Sequence, residues 1–190
     1  MGFTDVLFGR KKLMEPASER LFALTTASVT LETELGLKTA RAGGVVFKPL
    51  SAGDFVRAEN ELQELLDAVA TSSGARLERK SDRFGFEWLV VRDADLEDQV
   101  TTVHALGQGL QERGFGPQLL AAAFRFRDAQ DRAVYWIYGY KRGAFWPFVP
   151  KGEGQERDNA EELELKAKLE RELPVEQDLT RWFALFDAPL

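Results

Sequence analysis

The sequence predicts an α+β protein: an antiparallel sheet with helices packed on one face, in ferredoxin-like strand order with extra strands. Three observations lead there. Apolar residues recur at helical spacing in two long segments, Phe55 to Val69 and Leu96 to Leu110. Short strand-like runs fall in pairs joined by turn residues. From Val45 to Arg127 the elements then follow one another as strand, helix, strand, strand, helix, strand, which is the split β-α-β arrangement, with a strand added at each side. A secretion-chaperone-like α+β fold uses a similar mixture and is the alternative.

Taken in order, Pro16 and Ser18 introduce a short helix over Glu19 to Leu24. Val29, Leu31, Thr33 and Leu35 alternate with Thr30, Glu32 and Glu34, the two-residue period of a strand with one wet face. After Ala42-Gly43-Gly44, the run Val45-Val46-Phe47 is a strand stopped by Pro49. Ser51 and Asp54 suit a helix start, and Phe55, Leu62, Leu65, Leu66 and Val69 form an apolar stripe up to Ser72-Ser73-Gly74. Ala75 to Lys80 and Phe86 to Arg92 make a hairpin around Ser81 to Gly85. Asp93 and Asp95 precede a helix with its stripe on Leu96, Val100, Val103, Gly107 and Leu110, closed by Gly114 and Gly116 near Pro117. Leu119 to Arg127 and Ala133 to Tyr140 form a second hairpin, turning at Asp128 to Asp131. Pro147 and Pro150 discourage a central strand beyond it. After Pro150 the composition shifts: a polar linker, a helix capped by Asp158 or Asn159 and running to Glu172, and a last helix presenting Leu179, Trp182, Phe183 and Phe186. The division is therefore an α+β domain over 1–150 and a C-terminal helical extension over 151–190, packing on or beside it.

At 190 residues the chain fits one domain with extensions, and 44% apolar with 29% charged residues reads as globular. No stretch has the length of a transmembrane helix, and the first residues lack a secretory h-region, so a cytoplasmic location is expected. Cysteine is absent, which excludes disulfides, thiolate nucleophiles and cysteine-based metal sites. The single histidine, His104, excludes two-histidine metal motifs and reads as a packing or surface residue. No metal or other cofactor is expected. A net charge of −6 argues against nucleic-acid binding. Most of the excess lies between Lys151 and Asp178, where ten acidic residues face five basic ones.

The patterns that resemble chemical motifs have structural readings. Gly107-Gln108-Gly109 lies inside a helix pattern instead of before one, so close helix–sheet packing explains it better than a dinucleotide site. Asp93, Asp95 and Asp98 lack the glycine and distal glutamate of a calcium loop and suit a turn and helix cap. The densest local feature is YGYKRGAFWPFVP at 138–150, with five aromatic rings around a Lys-Arg-Gly turn. Its rings either cover the sheet edge or dock a partner, since aromatic and arginine side chains favour interfaces. On the docking reading, Lys141, Arg142, Phe145, Trp146 and Phe148 are the contact residues, joined by the Leu165, Leu169 and Leu173 stripe. A second reading gathers Arg125, Arg127 and Arg157 around a small phosphorylated or other anionic ligand, with amides near Asn159 assisting, and makes the protein a binding protein or an enzyme for that ligand. Leu7, Phe8, Arg10, Lys11 and Lys12 would supply a weak foot on a membrane surface.

GFGPQLL at 114–120, YGYKRGAFWPFVP at 138–150 and RDNAEELELK at 157–166 resemble the corresponding blocks of the PspA-associated protein PspAB family. LFGRKK near the start, LFAL at 21–24 and DLTRWFALF at 178–186 extend the likeness over nearly the whole chain. The resemblance implies a role in the bacterial envelope-stress response, and the lack of catalytic equipment in the residues makes a non-enzymatic adaptor the expected form of it. Its implied partner is a coiled-coil protein of the phage shock protein A type, met in the cytoplasm or at the inner face of the cell membrane.

Overall fold

The computed structural model describes residues 18–49, 55–152 and 154–190, without the side chains of Ser18 and residues 55–58. The expectations at Leu7 to Lys12, Pro16, Ser51 and Asp54 lie outside it. A 3-10 turn, Ser18–Phe22, runs into α1 (Ala23–Thr26) and α2 (Ser28–Thr33). The strand expected over Val29 to Leu35 is thus a helix. Leu21, Leu24, Ala27 and Leu31 recur every three or four residues and are all buried, whereas Val29, central to the alternating reading, is 67% exposed. The helical spacing carries the buried residues, so it decides the conformation.

Among the described residues the remaining strands and α-helices are β1 (Lys38–Phe47), α3 (Phe55–Ser73), β2 (Arg76–Ser81), β3 (Glu87–Arg92), α4 (Leu96–Glu112), β4 (Leu119–Arg127), β5 (Ala133–Gly139), β6 (Ala144–Phe148), the two-residue strands β7 (Pro150–Lys151) and β8 (Glu156–Arg157), and α5 (Asn159–Leu169). Six strands form one antiparallel sheet in the order β2-β3-β1-β4-β5-β6. Its first four strands have the ferredoxin-like arrangement, as the element order implies. Both extra strands, β5 and β6, extend the β4 side, not one on each side. Two successive hairpins place them there, and Pro147 is accommodated because β6 is the last strand of the sheet.

Register sorts the side chains into two faces. Arg79, Leu89, Val45, Ala122, Tyr138 and Phe145 form one cross-strand row. Arg79 meets Glu59 of α3 at 2.6 Å, which identifies this as the helix face. The adjacent row, Glu78, Val90, Gly44, Ala123, Ile137 and Trp146, points the opposite way.

Two glycines of α4 set the spacing of the helix layer. A Cβ at Gly107 would lie 2.5 Å from the Tyr140 hydroxyl, and one at Gly109 would lie 2.3 Å from Leu65 of α3. The packing reading of this glycine pair is therefore the one the fold uses. Gly107→Ala is expected to destabilise the protein by about 1–3 kcal/mol through overpacking, partly offset by roughly 1 kcal/mol of helix propensity. Tyr140→Phe in the same chain removes the nearest obstacle and should recover part of the loss. Urea unfolding of the single and double variants checks this; equal midpoints for wild type and Gly107→Ala would refute it. At the start of α4, Asp95 caps the helix, accepting from the backbone N–H of Glu97 at 2.8 Å and of Asp98 at 3.2 Å.

Candidate functional site

The aromatic-basic stretch becomes β5, a turn and β6. Gly143 adopts φ +62° at the turn, a conformation glycine reaches without Cβ strain. Alternation along β6 sends Phe145 to the helix face and Trp146 and Phe148 to the other. None of the three rings is available to a foreign surface: Phe145 and Phe148 are fully buried and Trp146 is 4% exposed. Of the two readings, cover and docking, the burial of the rings favours cover, and the chain's own later segment contributes to it. Phe145 donates its N–H to the Pro174 carbonyl at 2.8 Å and accepts from Glu176 N–H at 2.8 Å, a one-residue parallel bridge to Val175 that covers the β6 edge.

Past this bridge the chain crosses the face opposite the helices. Trp146 Nε1 donates to the Phe183 carbonyl at 3.0 Å, and the two rings meet edge to face at 4.6 Å. Phe186 packs edge to face on Phe148 at 5.1 Å. Leu190 reaches Gly44, whose missing side chain leaves it room. The last helix expected around Leu179 to Phe186 is only a 3-10 turn, Leu179–Arg181, capped by Asp178. Beyond it the segment forms no regular element. In that form Phe183 and Phe186 reach two different residues of β6. Leu165, Leu169 and Leu173, expected to help dock a partner, are buried within the molecule.

The anion-binding reading fares differently at each residue. Arg125 donates to the Leu190 carbonyl at 2.6 Å, and Arg127 pairs with Asp131 at 2.6 Å. Arg157 makes a two-pronged contact with the Glu162 carboxylate at 2.8 to 3.0 Å, donates to the Trp182 carbonyl at 2.7 Å and lies over the Phe148 ring. Asn159 opens α5, whose cap is Asp158, accepting from Glu161 N–H. The fold gives each of these arginines its own protein partner. Two clefts of about 460 Å³ lie elsewhere. One is lined by residues of both charges, among them Lys38, Arg41, Asp95 and Glu97, and the other by Asp128, Arg132, Glu161 and Lys168.

Glu162 was not singled out from the sequence. It stands three residues before Leu165 and seven before Leu169, so the same helical spacing that marks the buried stripe places it on the buried face. Its carboxylate also accepts the Val149 N–H at 2.9 Å. Burial pushes this carboxyl above the ordinary glutamate range, against the pull of Arg157 and the Val149 amide. Burial likewise raises Tyr138, to about 12, and Tyr140 further, so both phenols stay neutral at physiological pH.

What remains open to solvent near the predicted site is a smaller patch. Lys141 and Arg142 stand exposed on the turn, and Arg142 reaches Glu176 at 3.4 Å. Arg181 approaches the same carboxylate at 3.8 Å. Leu179 and Phe183, on the same short segment as Arg181, are 49% and 43% exposed. Apolar side chains bordered by arginines are thus presented at one edge of the sheet.

A family model described as PspA associated protein B matches residues 1–190. The chain belongs to the PspAB family. No curated protein and no solved structure matches it. The family's name links this α+β fold to PspA. Among the described residues no helix is long and apolar enough to cross a membrane, and no group of acidic or histidine side chains is placed to hold a metal ion.

Proposed function

We propose that this PspAB protein is a non-enzymatic docking partner of a PspA-related coiled-coil protein and acts in the bacterial response to envelope stress. The observation that carries the reading is the match of the whole chain to a family named for its association with PspA. The exposed patch supplies chemistry suited to such a partner. Leu179 and Phe183 offer apolar contact, Lys141 offers positive charge, and Arg142 and Arg181, paired with Glu176 and Asp178, form a border of both charges. A coiled coil presents apolar ridges flanked by charged positions, which complements this mixture. This reading moves the contact from the buried rings to the exposed turn and to the segment that covers them.

The test uses the purified full-length chain and the PspA-related protein encoded in the same genome. Lys141→Glu, Arg142→Glu and Leu179→Asp together are expected to weaken binding by about tenfold or more, as loss of interface anchors does. All three positions are exposed and the Arg142–Glu176 pair they break is a surface one, so the thermal midpoint should fall only slightly. Unchanged affinity in calorimetry, with the fold intact, would remove the patch from the interface. No binding by the wild-type chain would remove the partner assignment itself.

A further inference from the structure

We propose that residues 182–190 form an exchangeable strap, and that the sheet face beneath them is a docking surface for the same segment of a second copy of this chain. This goes beyond the PspA reading and does not depend on it.

The division of labour across this contact is that of a groove and a peptide. On the sheet the donors belong to the body and the acceptors to the strap, while beside the hinge Trp182 Nε1 donates the other way, to the Glu176 carbonyl at 2.9 Å. Arg157 and Trp146 donate to the carbonyls of Trp182 and Phe183, and Arg92 and Arg125 donate to those of Pro189 and Leu190, at 2.6 to 3.0 Å. Arg83 pairs with Asp187. The sockets, Trp146, Phe148 and the space above Gly44, also belong to the body, and the knobs Phe183, Phe186 and Leu190 belong to the strap.

The strap adds no strand to the sheet. The last backbone bonds to the sheet are those of Pro174 and Glu176 with Phe145, and the backbone bonds of residues 178–190 are local turns. Lifting the strap therefore breaks no ladder. It does uncover Trp146, Phe148 and the space above Gly44, on the face that Ile137, Ala123 and Val90 share by register. An open apolar face of this kind is unfavourable in water, so the strap leaves only when something of the same chemistry replaces it. The segment that remakes every bond is its identical counterpart on another molecule. Exchange of identical elements is a low-cost route to dimers, its main penalty being the freedom lost on association. The single 3-10 turn at Leu179–Arg181 is the connection that would reorient.

Complementation between two full-length variants tests this. Arg92→Ala with Arg125→Ala disables the groove and keeps the strap. Phe183→Ala with Phe186→Ala disables the strap and keeps the groove. Native mass spectrometry of each variant alone should show monomer. Their equimolar mixture at micromolar concentration should contain a heterodimer of one copy of each, because the intact strap of one fills the intact groove of the other. If the double phenylalanine variant does not fold, Phe186→Ala alone takes its place with the same reading. A mixture of folded variants that stays monomeric overturns the proposal. Loss of the heterodimer on adding excess synthetic peptide of residues 179–190 supports it, and persistence of the heterodimer under that competition counts against it.

Discussion

Arg157→Met is expected to cost about 3–5 kcal/mol at neutral pH, because it strands a buried carboxylate without its counter-charge. Glu162 is 2% exposed and holds α5 to the body through Arg157 and the Val149 N–H. Methionine fills the arginine stem but removes the charge and the donors to Glu162 and Trp182. The loss should depend on pH in a definite direction. A carboxyl whose folded-state pKa lies above its unfolded value stabilises the fold fully below the unfolded value and loses that contribution as pH rises through the folded one. Glu162 is already raised by burial, and removing Arg157 raises it further. The penalty should therefore be smallest below about pH 4, where the carboxyl is protonated in both states, and should grow toward neutrality. Adding Glu162→Gln removes the stranded charge, so the double variant should exceed Arg157→Met in stability at pH 7 and lose the pH dependence. Guanidinium unfolding from pH 4 to 8 reads all three. A penalty for Arg157→Met that is flat across this range would show that the ion pair is not what Arg157 contributes.

The sheet was legible where local pattern and global order agree. α3, β2, β3, α4 and β4 follow from period-two and period-3.6 spacing with turn residues between them, and the ferredoxin-like order follows from their succession, whereas of β1 only Val45 to Phe47 was readable, the strand in fact starting at Lys38 and running through Ala42-Gly43-Gly44. Residues 29–35 misled because Val29, Leu31, Thr33 and Leu35 alternate while Leu24, Ala27 and Leu31 also satisfy a helix. Only packing on the body decides between two periods carried by the same residues. The candidate site was legible as an unusual composition and not as a surface. Whether the rings of β6 face a partner or the chain itself depends on residues 174–190, about thirty positions later. No local signal encodes that the segment wraps the edge and returns over the opposite face. Its aromatic residues do show that something must cover them. Glu162 is the intermediate case, since its position on the apolar face is readable but its partner, Arg157, becomes evident only when β8 turns back beside α5.

Trp146→Ala is expected to be comparably severe, at about 3–5 kcal/mol for truncating a buried aromatic side chain. The ring lies between Ile137 and Phe183 on the strap face, and Gly139 beside it would meet the indole at 2.9 Å if it carried a Cβ. A partner anchor standing in solvent would behave otherwise: truncation would weaken binding and leave stability almost unchanged. Trp146→Phe separates packing from hydrogen bonding. It retains a ring against Phe183 and loses the indole N–H that the Phe183 carbonyl accepts. That carbonyl belongs to a partly exposed residue, so water can replace the lost donor and the hydrogen-bond share should be only about 1 kcal/mol. The alanine variant should therefore unfold at far lower urea concentration than the phenylalanine variant. Near-equal midpoints would mean that the indole N–H, not the ring, fastens the strap. An alanine variant as stable as wild type would mean that Trp146 is not part of the core and would return it to the docking surface.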